Sequence, residues 1–99
     1  MVENQTRRKP QILLPFDIRE ALTLREAAAI AGRTPVTIRT WCSIYDLGRR
    51  IGGQWRVSKV ALAMFLDSNR EALRAYLSGD RENDAVLEYF ERCGLLEKK

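Results

Sequence analysis

The 99-residue sequence contains no histidine and only two cysteines, Cys42 and Cys93. With no imidazole and two thiols far apart in the chain, there are too few ligands for a structural zinc site and too few pairs for a disulfide framework. Both cysteines read as free, partly buried thiols. General acid–base chemistry loses its commonest carrier as well, and no nucleophile stands beside a base in a recognisable arrangement. Neither enzymatic activity nor a cofactor is expected. There is no apolar run of roughly 18 residues, the length a membrane-crossing helix needs. The opening MVENQTRRKPQILLPF has neither the unbroken apolar stretch nor the small-residue cleavage site of a signal peptide. A soluble cytoplasmic protein with no membrane partner is the expectation.

A hydrophobic content of 45% in 99 residues suffices for one compact domain. The net charge is +4 and the sequence pI about 9.4, and that charge is regional. Residues 23–57 hold six arginines (Arg25, Arg33, Arg39, Arg49, Arg50 and Arg56), no lysine, and only Glu26 and Asp46 as acids. Residues 58–99 are nearly balanced, with a slight acidic excess. An arginine-only block suits planar, bidentate contact with phosphate or guanine, although an ordinary basic surface would show the same charge.

The chain divides into three parts. Residues 1–19 read as an N-terminal arm, partly disordered, with QILLPF extended because Pro10 and Pro15 disfavour helix before them. Residues 20–67 read as the functional domain. A short strand fits residues 20–22, and Thr23-Leu24-Arg25-Glu26 then spells a capping box that opens an alanine-rich helix closed by Gly32. A second helix follows at once, with Thr34 as N-cap and Pro35 at its first position. Helix, tight glycine turn, helix is the helix-turn-helix pattern.

At 100° per residue, Ile38, Trp41, Cys42 and Tyr45 fall in one sector of the second helix, which belongs to the core. The opposite side carries Val36, Arg39, Thr40 and Ser43, with Thr37 at its edge. Short hydrogen-bonding groups around one long cation suit close approach to a DNA major groove better than they suit a solvated face. Thr37 fits either a phosphate at the helix N-terminus or completion of the N-cap.

Gly52-Gly53 between RRI and QWRV signals a two-residue hairpin. That register pairs Arg50 with Trp55 and Arg49 with Arg56. Two arginines side by side call for an anion such as phosphate, unless Arg56 bridges Glu26 or Asp46. Ile51 shares a face with Arg49 in this register, which implies either an exposed Ile51 or a longer loop. Ser58 caps a third helix that is apolar on two sides, with Leu62, Phe65 and Leu66 on one and Val60 and Met64 on the other. Residues 68–99 read as a helical extension packing on the domain. Stripes of Leu73, Tyr76 and Leu77, then Val86, Tyr89, Phe90 and Cys93, supply the cover, while Leu87, Leu95 and Leu96 are expected as surplus apolar groups for a neighbouring copy or partner. The fold class is therefore mainly α with a small β-hairpin: a winged helix-turn-helix followed by two C-terminal helices.

LTLREAAAIAGRTPVTIRTW followed by GGQWRVSKVALAMFL resembles the DNA-binding domain shared by phage-type excisionases and MerR-like regulators, over about residues 21–67. The resemblance rests on LT..EAA, on T-x-x-T-I-x-x-W and on G-x-W-R-V. It implies a second helix in the major groove of double-stranded DNA and a wing in the adjacent minor groove, with Arg39, Thr40, Arg49, Arg50 and Arg56 as contacts. Taken with the wheel and the hairpin, the candidate DNA-binding residues are Arg33, Thr34, Pro35, Val36, Thr37, Arg39, Thr40, Ser43, Arg49, Arg50, Gln54 and Arg56. The 32 residues after the shared part leave no room for the long coiled coil and effector domain of MerR-like regulators, which favours the excisionase side. Such a recombination directionality factor would self-associate on DNA, bend it beside an integrase of the tyrosine or serine recombinase class, and regulate promoters it overlaps. A stand-alone transcriptional regulator, the DNA-recognition subunit of a phage packaging complex, and a winged-helix protein-interaction module are the alternatives.

Overall fold

A computed structural model of the protein describes residues 9–96, so Arg7 and Arg8 of the expected arm lie outside the described residues. Five helices surround a small sheet. The elements run β1 (Ala21–Leu22), α1 (Leu24–Ala31), α2 (Pro35–Tyr45), β2 (Gly48–Ile51), β3 (Gln54–Ser58), α3 (Lys59–Leu66), α4 (Arg70–Leu77) and α5 (Asp84–Arg92).

Local chemistry starts and stops these elements where the sequence signals them. The Thr23 and Glu26 side chains each accept the other's backbone N–H, at 3.0 and 2.9 Å, which closes the capping box of α1. Gly32, with φ of 70°, ends α1 in the left-handed conformation. Thr34 caps α2, and Ser58, the last residue of β3, caps α3 through the Ala61 N–H. The Gly52-Gly53 turn has φ of 60° and 85°, the positive pair that a two-residue hairpin requires.

The sheet has the order β1-β3-β2, all antiparallel, so β1 adds a third strand to the hairpin. Arg49 pairs with Arg56 and Arg50 with Trp55, the register expected from the two glycines. Ile51 is half-buried against the core in that register, so neither a longer loop nor an exposed Ile51 is needed.

The core is continuous from the helix-turn-helix to the C-terminus. Ile38, Leu47, Val57, Val60, Met64, Tyr76 and Val86 are all fully buried. Val60 and Met64 of α3 are fully buried, and α3 packs on both α4 and α5. Leu95 differs from expectation: it is buried, and of the three leucines expected to be surplus only Leu87 and Leu96 are exposed.

The segment before β1 is not extended. It turns at Ile12 and Leu13, which are 3% and 0% exposed. The core accounts for the turn: burying two large aliphatic side chains contributes roughly 2 kcal/mol each and offsets the left-handed backbone at Leu13, where φ is 56°. The turn's carbonyls are held from two sides. Arg49 donates to the Ile12 and Leu13 carbonyls at 2.9 and 3.2 Å. Arg81 donates to those of Gln11, Leu14 and Tyr76, and its guanidinium lies 4.0 Å from the Tyr76 ring centroid.

Beneath this seam the Glu20 carboxylate is 3% exposed and accepts from the hydroxyls of Ser58 and Tyr76. The Tyr76 hydroxyl also accepts from the Leu13 N–H at 2.9 Å. Burial, reinforced by the negative charge of Glu20, pushes the Tyr76 phenol far above its ordinary range, so it remains a proton donor. No buried side-chain polar atom among the described residues lacks a partner, as a low-dielectric polar cluster demands.

Candidate nucleic-acid interface

The amphipathic pattern of α2 sets the site. Ile38 and Cys42 are buried at 0% and 3%, and Trp41 is half-buried against Phe65, which turns the opposite side of the helix to solvent. Val36, Arg39, Thr40 and Ser43 are exposed on that outer side. Val36 is 75% exposed, an apolar group with no intramolecular reason to be there. An exposed valine beside hydroxyls matches the mixture of thymine methyl and hydrogen-bonding groups on a major-groove floor.

The hydroxyls are partly engaged. Thr34 and Thr37 share a 3.0 Å hydrogen bond at the N-terminus, and the Thr34 hydroxyl accepts from the Thr37 N–H at 3.2 Å, so Thr37 takes part in the cap. Thr40 donates to the Val36 carbonyl at 3.1 Å, which leaves its lone pairs facing outward as acceptors. Pro35 occupies the first helical position, where a missing N–H has no consequence.

The wing stands beside this face because β2 packs on α2 without a side chain between them. A Cβ at Gly48 would overlap the Arg56 carbonyl oxygen and sit 2.9 Å from the Cys42 sulfur. The close approach demands glycine there, and the sequence reading did not single it out; a glycine at a strand start is the signal that could have found it. Burial raises the Cys42 thiol to about 11, so it serves as a small hydrophobe in this joint.

Across the hairpin, strand alternation sorts the cations. Arg50 and Trp55 share the face of Val57, while Arg49 and Arg56 share the other. The Arg39 guanidinium lies 6.0 Å from the Trp55 ring centroid, so a cation of the helix meets an aromatic of the wing. Arg50 donates to the Gly53 carbonyl at 3.0 Å and remains exposed, and Gln54 is exposed at the tip. Arg39, Arg50 and Trp55 thus belong to one continuous surface with the outer face of α2, while the same alternation puts Gln54 on the Arg49–Arg56 side.

Three other expected residues, Arg49, Arg33 and Arg56, are placed differently. Arg49 is half-buried, with its guanidinium on the Ile12 and Leu13 carbonyls. Arg33 is exposed but lines a groove with Trp41 and Arg70, on the core-facing side of α2. Arg56 is half-buried beside Arg49, and of Glu26 and Asp46, the two acids offered as its intramolecular partner, Glu26 serves the capping box of α1.

Two tightly connected helices, the second presenting a short polar face next to a two-glycine wing, define a winged helix-turn-helix. Residues 21–70, half of the chain, match the helix-turn-helix domain family. The protein belongs to that family of DNA-binding domains. No curated protein and no solved structure gives a match. No helix among the described residues is long and apolar enough to cross a membrane, and no group of three or more histidine, cysteine, aspartate or glutamate side chains among them could hold a metal ion.

Proposed function

We propose that the protein reads double-stranded DNA in the cytoplasm as an excisionase-like recombination directionality factor, bending the duplex beside an attachment site and assisting an integrase of the tyrosine or serine class. The observation that carries the DNA-reading part is the single surface formed by Val36, Arg39, Thr40 and Ser43 of α2 with Arg50 of the wing, joined through the Arg39–Trp55 contact. On this reading α2 lies in the major groove and Arg39 reads a guanine edge, the commonest specific arginine contact. Arg50 and Gln54 follow the wing into the adjacent minor groove, where a cation is favoured by a narrowed groove. Thr34 and Thr37 approach a phosphate at the N-terminus of α2, and Arg33 and Arg56 add peripheral charge. The finer assignment draws support from the resemblance to phage-type excisionases, and the helix-turn-helix family includes excisionase-like proteins. Control of promoters overlapped by the binding sites follows from the same occupancy.

Footprinting the purified protein across the DNA around its own gene and any neighbouring attachment site tests the assignment. Protected, repeated sites beside an attachment site are expected. Protection confined to a promoter would favour a stand-alone transcriptional regulator, and the absence of any salt-dependent duplex binding would overturn the DNA-reading role itself.

A further inference from the structure

Two surfaces outside the reading face are complementary to each other. The first is a groove between the C-terminal half of α2, the end of α3 and the start of α4. Its lining is aromatic and aliphatic: the Phe65 ring lies 4.8 Å from both Trp41 and Tyr45, and Leu66 and Leu73 continue the wall. Tyr45 and Leu66 are each 43% exposed there. Its rim is cationic, with Arg33 from the α1–α2 turn and Arg70 from the first turn of α4, and no carboxylate among the described residues lines it.

The second surface is the outer side of α5. Val86, Tyr89, Phe90 and Cys93 face the core, so Asp84, Leu87, Glu88 and Glu91 recur along the solvent side at helical spacing. Leu96 follows just beyond the helix and is exposed. This stripe presents three carboxylates around an exposed leucine. The neighbouring Arg92 borders the stripe at Glu88, Glu91 and Leu96, with its guanidinium 3.1 Å from Asp67 and 4.5 Å from the Tyr89 ring.

We propose that the acidic stripe of α5 in one copy docks in the basic aromatic groove of the next, Leu87 entering among Trp41, Tyr45 and Phe65 and Glu88 meeting Arg70. Charge selects this pairing over like against like. Groove against groove would set Arg33 and Arg70 of two copies face to face, and stripe against stripe would oppose carboxylates, both unfavourable. Because the donor and acceptor surfaces lie on different elements, each copy offers one of each, and the contact either is exchanged reciprocally about a two-fold axis or repeats from copy to copy. One helical stripe is a small interface, so association is weak in free solution and strengthens when adjacent DNA sites hold copies together. Only that strengthening rests on the DNA-reading role; the contact itself does not.

Sedimentation equilibrium of the full chain without DNA, up to about millimolar concentration, tests the contact. Wild-type protein is expected to self-associate reversibly, its mean mass rising with concentration. Arg70→Glu and Glu88→Arg, both at exposed positions, should each weaken association about tenfold or more, and their equimolar mixture should restore it, since every junction between unlike copies then pairs opposite charges. A wild-type protein that stays monomeric, unchanged association in both variants, or a mixture that fails to recover would each overturn the proposal. Binding of the same proteins to a random-sequence 20-base-pair duplex, measured alongside, separates this result from the DNA-reading role, because loss of duplex binding by wild type condemns the latter alone.

Discussion

Arg49 and Arg50 are neighbours in the chain and do opposite things. Arg49 points to the back of the wing and donates to two backbone carbonyls of the segment before β1, whereas Arg50 points to the front, beside Trp55, whose ring meets Arg39 of the recognition helix. The same contrast separates two regions of the molecule. At the back, Glu20, Ser58 and Tyr76 satisfy one another, and Tyr76, Arg49 and Arg81 hold the turn at Leu13. At the front, Val36, Arg39, Ser43 and Arg50 remain exposed. A basic composition alone therefore says little about affinity for nucleic acid: part of the charge holds the fold together, and the remainder is available to a polyanion.

Breaking the back should unfold without altering the way DNA is read. Leu13→Ala removes a fully buried side chain far from the reading face and should cost about 2 to 5 kcal/mol in chemical denaturation, with the sequence preference of the surviving folded fraction unchanged. Tyr76→Phe leaves the Glu20 carboxylate and the Leu13 N–H each short of a partner and should cost about 1 to 3 kcal/mol. Gly48→Ala attacks the joint between the regions. It forces β3 away from β2 and presses on Cys42 of α2, and should lower stability by about 1 to 3 kcal/mol while also weakening DNA binding, which a back-side variant of equal stability would not do.

Breaking the front should do the reverse. Arg39→Ala should weaken binding to a specific site by about 1 to 3 kcal/mol and relax preference at one base position, with the melting temperature nearly unchanged; selection from a randomised duplex library reads both. The smallest effect concerns Asp67, whose carboxyl is held below its ordinary value of 3.8 by the Tyr89 hydroxyl and then by Arg92. A carboxyl with a lowered folded pKa contributes stability above its unfolded pKa and loses it as pH falls through the folded value. The difference in melting temperature between wild type and Asp67→Asn should therefore be present at neutral pH and vanish in acid below 3.8, with DNA binding unaffected throughout.

The front was largely legible in the sequence because its signals are local. Thr23 with Glu26, Thr34 with Pro35, and the Gly52-Gly53 pair each fix a backbone boundary within a few residues, and the wheel of α2 then assigns its outer face. The back was not, because its partners are distant in the chain: Leu13 and Tyr76 are 63 positions apart, and Glu20 and Ser58 are 38 apart. The two prolines around QILL made that segment look extended, and nothing local reveals that Ile12 and Leu13 complete the core. Strand alternation did pair Arg49 with Arg56 away from Arg50, yet the acceptors awaiting Arg49 belong to a turn that only the folded chain brings near. Gly48 escaped for a similar reason, since its neighbours Cys42 and Arg56 come from other elements.

The division of labour between adjacent arginines is open to one direct measurement: the salt dependence of duplex binding for wild type, Arg49→Ala and Arg50→Ala, with a melting curve for each. The account predicts that Arg50→Ala reduces the salt slope by roughly 1 at unchanged melting temperature, the signature of one lost phosphate contact. Arg49→Ala should lower the melting temperature and leave the slope as it is. A reduced slope for Arg49→Ala with intact stability, together with an unchanged slope for Arg50→Ala, would contradict the account.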